Sequence, residues 1–179
     1  MENQRIRLSK AMLKNALMRL LKEKPIEKIS IYELCAAAQI NRTTFYKYYG
    51  SQYELLADTE SDYFRKLEEV LSENVTDSRD SLCRVLEALL ADEEAFLLLA
   101  GSLPDRDFSD KLFNLPAIRM QFDMAIPDTF SDREREHLRV FFYQGGYALI
   151  REWLCSDADR ESPRVMADFL YGIIRKLTK

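Results

Sequence analysis

Ser30-Ile-Tyr-Glu-Leu-Cys-Ala-Ala-Ala-Gln-Ile-Asn-Arg-Thr-Thr-Phe-Tyr-Lys-Tyr-Tyr-Gly-Ser-Gln-Tyr-Glu54 contains three helix starts in quick succession. Ser30 and Glu33 have the Ser-x-x-Glu spacing of a capping box, which closes orphan amides at a helix N-terminus. Leu34, Ala36, Ala37 and Ala38 then give a slim helix that can pack closely on a neighbour. Asn41 is a natural N-cap for a second helix, rich in polar and aromatic side chains. Ser51 and Glu54 repeat the capping-box spacing and open a third. A short apolar helix, a turn and a short polar-aromatic helix form the pattern of a helix-turn-helix DNA reader.

The charge distribution agrees with that reading. The 179 residues carry a formal net charge of -4. Residues 1–50, however, hold ten Lys and Arg against four Asp and Glu, leaving the rest of the chain strongly acidic. A basic head on an acidic body is expected when only the head meets a polyanion. An apolar content of 47% suffices for a real core, and five glycines and five prolines leave long stretches free for helix. The sequence contains no run of apolar residues long enough to span a membrane and no apolar leader, so a cytoplasmic protein is expected. Cys35, Cys83 and Cys155 are widely spaced and read as buried thiols, and His137 as an exposed helix residue. No cofactor or metal is expected. Catalytic motifs are lacking too, and acidic residues such as Glu93 and Asp110 read as solvated charge.

Apolar periodicity predicts an all-α chain with no strand. A first helix is expected over residues 7–24, with Leu8, Met12, Leu13, Ala16 and Leu17 inward and Pro25 as its stop. Short helices at 30–37 and 41–47 follow. A connector helix over 51–72 turns Leu55, Leu56, Tyr63, Phe64, Leu67 and Val70 inward. Further helices are predicted at 78–90 and 92–100, then a break containing Pro104. The segment 108–124, interrupted by Pro116, should kink or split. Asp128 falls in the next loop, a long helix runs over 131–154, Asp157 begins a polar loop, and a last helix covers 162–177.

With these elements in place, the sequence resembles the TetR/AcrR family of bacterial transcriptional regulators. Residues 9–56 carry the main likeness. The stretch Asn41-Arg-Thr-Thr-Phe-Tyr-Lys-Tyr-Tyr-Gly-Ser-Gln-Tyr-Glu-Leu55 is similar to the family's recognition helix and the turn after it. Tyr143-Gln-Gly-Gly-Tyr-Ala-Leu-Ile-Arg-Glu-Trp-Leu154, followed by Ser162-Pro-Arg-Val-Met166, is similar to a subgroup that includes regulators of dihydroxyacetone kinase genes. Two positions depart from the family. Gln39 stands where glycine is common in the turn, and Gln52 where many members have Lys.

The resemblance implies an N-terminal three-helix helix-turn-helix domain at 1–50 and a helical regulatory and dimerisation domain at 51–179. The recognition helix is expected in the major groove of an operator. There Arg42 would read a guanine edge, while Thr43 and Thr44 would contact a thymine methyl or phosphate. Tyr46, Lys47 and Tyr48 would hold the backbone, with Asn41 as cap, Tyr32 as a phosphate contact, and Ser30 as a phosphate contact or only a cap. For a homodimer, the interface is expected from Phe142, Gly146, Leu149 and Trp153 on one helix. Met166, Phe169, Leu170, Ile173, Ile174 and Leu177 would form the partner stripe, with Gly145 and Gly172 allowing close approach. Phe96, Phe113, Met120 and Phe122, with Met124, Phe141 and Tyr143, could line an effector cavity, although aromatic and Met residues at helical spacing are more often plain core. A repressor is expected, with the effector unnamed. The rival reading is a co-regulator that has lost operator binding and works through a protein partner, suggested by Gln39 and Gln52.

Overall fold

The computed structural model describes residues 4–71, 78–102, 105–127, 129–156 and 159–177. Among them are ten α-helices, one 3-10 turn and no strand. Helix α1 spans Gln4–Leu21, followed by the 3-10 turn Ile26–Lys28, α2 Ile31–Ala38, α3 Arg42–Tyr46 and α4 Gln52–Leu71. Then come α5 Ser78–Ala91, α6 Glu93–Ala100, α7 Asp105–Phe113, α8 Pro116–Ala125, α9 Asp132–Leu154 and α10 Pro163–Leu177. They form two compact units, residues 1–63 with 98–102, and residues 64–97 with 103–179. Pro104, Asp128 and Asp157, expected in loops, lie outside the described residues, as does the end of the connector at Ser72.

In the first unit, α1 ends a turn earlier than the sequence suggests. A helix running up to Pro25 would put the proline ring against the Leu21 carbonyl, and residues just before a proline avoid helical backbone. The chain therefore leaves the helix at Leu21 and turns through Lys22, Glu23 and Lys24, whose amides bond back to Arg19 and Leu20. Leu13, Ala16 and Leu17 are fully buried, but Leu8, expected inward, is 62% exposed. The Ser30–Glu33 capping box forms as read. Helix α2 closes through Gln39, whose amide donates to Ala36 while the Ile40 amide reaches Cys35, the two crossed bonds of a Schellman ending. Gln39 takes φ 55° and ψ 40°, and it alone among the described non-glycine residues has positive φ. The second capping box is only half made. Ser51 Oγ accepts the Glu54 amide at 3.3 Å, whereas the Glu54 carboxylate reaches one residue further back, to the Gly50 amide at 2.8 Å. A Cβ at Gly50 would sit 2.7 Å from that carboxylate, so glycine leaves room for the contact.

The second unit is built on aromatic packing. Phe108 meets Phe64 at 5.0 Å, Phe96 at 5.4 Å and Tyr147 at 6.2 Å between ring centroids. Each such ring pair adds about 0.5–1.5 kcal/mol beyond simple burial. Phe96, considered for a cavity, is thus a fully buried core residue. The Pro116 interruption resolves into two helices, with Pro116 at the first turn of α8, where a missing amide costs nothing. Helix α9 starts from a complete Ser131–Glu134 capping box that the sequence reading passed over. Helix α10 packs along α5, and Arg79–Asp168 and Arg164–Asp80 ion pairs tie the first turn of α5 to the first two turns of α10. Glu93 is not solvated charge: both its oxygens accept from Arg160, at 2.7 and 2.8 Å. Arg160 also lies over the Trp153 ring. Cys35 and Cys83 are buried as expected, but Cys155, which ends α9, is exposed. Val70 is exposed as well, being on the outer side of the last turn of α4.

Left-handed backbone costs a non-glycine residue about 1–2 kcal/mol, part of which glycine would return as unfolded-state entropy. Gln39→Gly is therefore expected to stabilise the protein by roughly 0.5–1 kcal/mol. Urea denaturation checks this; an unchanged or lower midpoint would contradict the strained reading of Gln39.

Candidate nucleic-acid interface

Helix α3 is short, and its capping and anchoring define which side chains it presents. Asn41 Oδ1 accepts the Thr44 amide at 2.7 Å, starting the helix at Arg42. Phe45 is fully buried and Tyr49 nearly so; their rings pack at 5.8 Å and fix the helix to its unit. With those two positions inward, Arg42, Thr43, Tyr46 and Lys47 emerge exposed on the other side. Thr44 and Tyr48 are half-buried. Arg42, Thr43 and Lys47 form no side-chain hydrogen bond or ion pair among the described residues, so their polar groups are available to a partner. Tyr32, near the start of α2, is 70% exposed. The Ser30 hydroxyl is committed locally: it donates to Glu33 and accepts the Glu33 amide.

Three contacts that sequence reasoning missed hold this surface. Lys14 Nζ on α1 binds the Asp58 carboxylate at 2.8 Å and that of Asp62 at 2.6 Å. The Tyr49 hydroxyl donates to the same Asp58 carboxylate at 2.6 Å. Asp58 thus joins α1, the segment after α3, and α4. Burial alone would raise its carboxyl, but the hydrogen bonds from Lys14 and Tyr49 outweigh that and hold it below the ordinary value. Second, an Arg19 N–H donates to the Ala37 carbonyl at 2.8 Å and ties α1 to α2. Third, Lys24 pairs with Glu33 and fastens the chain after α1 to the capping box of α2. These partners stand 9 to 48 residues apart, at spacings no local pattern reveals.

In the second unit, a cavity of about 520 Å³ opens among residues of α4, α5, α7, α8, α9 and α10. Of the residues considered for an effector site, Phe113, Met120, Phe122, Phe141 and Tyr143 line it. Met124 faces a shallow depression beside Arg119 and Asp123 instead. Several residues expected at a dimer interface also line the cavity: Phe142, Gly146, Leu149, Leu170, Ile173 and Ile174. Trp153 is buried inside the unit, its indole N–H donating to the Glu161 carbonyl at 2.9 Å. Met166 is half-buried and Phe169 exposed. The Leu177 side chain lies outside the described residues. A Cβ at Gly145 or Gly172 would meet nothing within 4 Å.

The short, capped and exposed helix α3, set after α2 and its tight turn, has the arrangement of a helix-turn-helix DNA-binding domain. Residues 14–59 match the family of bacterial regulatory proteins, tetR family. A TetR transcriptional regulator from Streptococcus agalactiae 2603V superposes with a TM-score of 0.77 at 20% identity, over 96% of each chain. The dihydroxyacetone kinase operon activator DhaS gives 0.59 at 17% identity, over 95% of this chain and 96% of its own. A TetR-family regulator from Syntrophomonas wolfei gives 0.66 at 16%, over 95% and 94%. At these identities the likeness is one of fold. No curated protein matches the chain. No described helix is long and apolar enough to cross a membrane.

The Lys24 ammonium, helped by the Ser30 amide and hydroxyl, lowers the Glu33 carboxyl from its ordinary 4.5 to about 2. A depressed carboxyl contributes stability that is present above its unfolded value and fades as pH falls through the folded one. The cap should therefore weaken between pH 4.5 and about 2. Carboxyl NMR titration is expected to place Glu33 near the bottom of that range and to move it upward in Lys24→Met. Glu33 titrating at its ordinary value in the wild type would show that the pair does not hold in solution.

Proposed function

We propose that the chain is a repressor that binds a near-palindromic operator as a homodimer, with residues 1–50 reading DNA and residues 51–179 serving dimerisation and effector response. The observation that carries the DNA-reading assignment is the exposed row Arg42, Thr43, Tyr46 and Lys47 on a helix anchored by Phe45 and Tyr49. Arg42 lies in the first turn of α3, the part of a recognition helix that meets base edges, and its fork suits guanine. Tyr46, Lys47, Tyr48 and Tyr32 are assigned to the phosphate backbone, with Ser30 and Asn41 supporting the helix starts. The departure at Gln39 does not favour a co-regulator without DNA, because Gln39 adopts the left-handed turn itself.

For the dimer we assign the outer faces of α9 and α10. Val140, Phe141, Val165 and Phe169 are each more than half exposed, an unusual concentration of large apolar side chains. A two-fold pairing there would set two reading heads on half-sites roughly 34–36 Å apart. The cavity of the second unit is assigned to a small-molecule effector. Helix α4 gives it Glu68 and Leu71 and also bears Asp58 of the Lys14–Tyr49 network, so a ligand acts on the helix that holds the reading surface. Activation is the second reading, because one fold neighbour is an operon activator.

Fluorescence-anisotropy titration against DNA from the chain's own upstream region tests the assignment. Binding is expected in the nanomolar range and to weaken steeply with salt. Arg42→Ala should lose about 1–3 kcal/mol on the preferred fragment while keeping weak non-specific binding. Equal affinity and specificity in the variant would remove Arg42 from the base-reading role. In sedimentation velocity, the double variant Phe141→Asp, Phe169→Asp is expected to run as a monomer where the wild type runs as a dimer. A variant that stays dimeric would move the interface off these two helices.

A further inference from the structure

The cavity of the second unit is apolar nearly throughout, and its few polar groups stand out. Glu68, Ser81, Arg84, Tyr143 and Tyr171 are the polar side chains on its lining. Arg84 is already engaged, donating to the Val70 carbonyl at the end of α4. Glu68 and Tyr143 are only partly satisfied. One Glu68 oxygen, Oε1, accepts the Ala117 amide at 3.1 Å in the first turn of α8. The other, Oε2, is buried and has no hydrogen-bond partner among the described residues. The Tyr143 hydroxyl is likewise buried and without a hydrogen-bond partner, on a side chain only 5% exposed.

Both groups are tied to the same short segment. Glu68 reaches Ala117 at the head of α8, and the Tyr143 ring stacks on Phe113 at the tail of α7, 4.6 Å between centroids. Glu68 Oε2 gives the cavity a polar end beside the head of α8, with apolar walls elsewhere, among them Val85, Met120, Leu149 and Ile173. The charged groups acting on the Tyr143 phenol are instead Arg139, Asp123, Arg119 and Glu136. Burial pushes the Tyr143 phenol up to about 12, so it is a neutral hydroxyl at physiological pH. A buried carboxylate oxygen lacking a partner costs free energy that a hydrogen-bond donor recovers, most of all a charged one.

We propose that the cavity takes a hydrophobic amine, its ammonium on Glu68 Oε2 and its apolar body along the aliphatic and aromatic walls. This inference rests on the effector reading of the cavity and adds the chemical class of the ligand. A carboxylate head is disfavoured because Glu68 already places a negative charge at the polar end. The opposing cation, Arg84, is held on Val70. A neutral alcohol can donate to Glu68 but brings no charge.

The test is calorimetric titration of the full chain with octylamine, octanol and octanoate, three ligands alike in their apolar part. Octylamine is expected to bind about tenfold more tightly than octanol, the gain typical of adding charge to a hydrogen bond, with octanoate weakest. Glu68→Gln retains Oε1 for the Ala117 amide, so the helix junction should survive; circular dichroism verifies this. In that variant the amine's advantage over the alcohol should vanish. Preference for octanoate, equal binding of all three, or an amine advantage that persists in Glu68→Gln would overturn the amine class and leave the effector cavity standing. No binding of any of the three to a folded, DNA-binding protein would overturn the effector reading together with the ligand class.

Discussion

The Asp58 carboxylate is where the exposed face of α3 is made rigid. It accepts Lys14 from α1 and the Tyr49 hydroxyl from the segment after α3, and α4 carries it. Helix α3 has only five residues, too few to be stable alone. Its geometry therefore depends on what its neighbours fix. Phe45 and Tyr49 supply apolar anchors, and Asp58 supplies the polar one. Without that network the exposed row of Arg42, Thr43, Tyr46 and Lys47 would still be present, but its register would be loose. A reading surface loses specificity when its side chains wander by fractions of an ångström.

Caps and breaks organise the same unit from the sequence side. Pro25 forces α1 to stop at Leu21, the Ser30–Glu33 box restarts the chain, and Gln39 turns it toward Asn41. The Lys24–Glu33 pair links the stop to the restart. Gln39 accepts local strain where glycine would not, so the turn is held by the bonds around it.

The second unit combines tight aromatic packing with an open space. Phe64, Phe96, Phe108 and Tyr147 make a dense core, whereas Phe113, Tyr143 and Phe122 border the cavity. The apolar pattern could not separate those two roles. Both sets are large side chains at helical spacing, and only the arrangement of the helices puts Phe96 in the core and Phe113 at a void. The same holds for Leu149, Leu170 and Ile174. Their stripe marks an apolar face, but an apolar face toward a cavity and one toward a second copy have the same sequence signature.

What the sequence by itself determined is local and chemical: the all-α class, most helix limits within a few residues, and the caps at Ser30 and Asn41. The split at Pro116 and the exposed polar row on α3 belong with these. Each follows from near-neighbour physics, because caps, proline and periodic burial act within one or two turns. Tertiary structure decided the remainder. Lys14 and Asp58 stand 44 residues apart, and Glu93 and Arg160 stand 67 apart, so nothing local announces either pair. Likewise, whether Glu68 and Tyr143 find partners depends on how much space the packed helices leave between them. Packing alone sets that space, because a void belongs to no single segment.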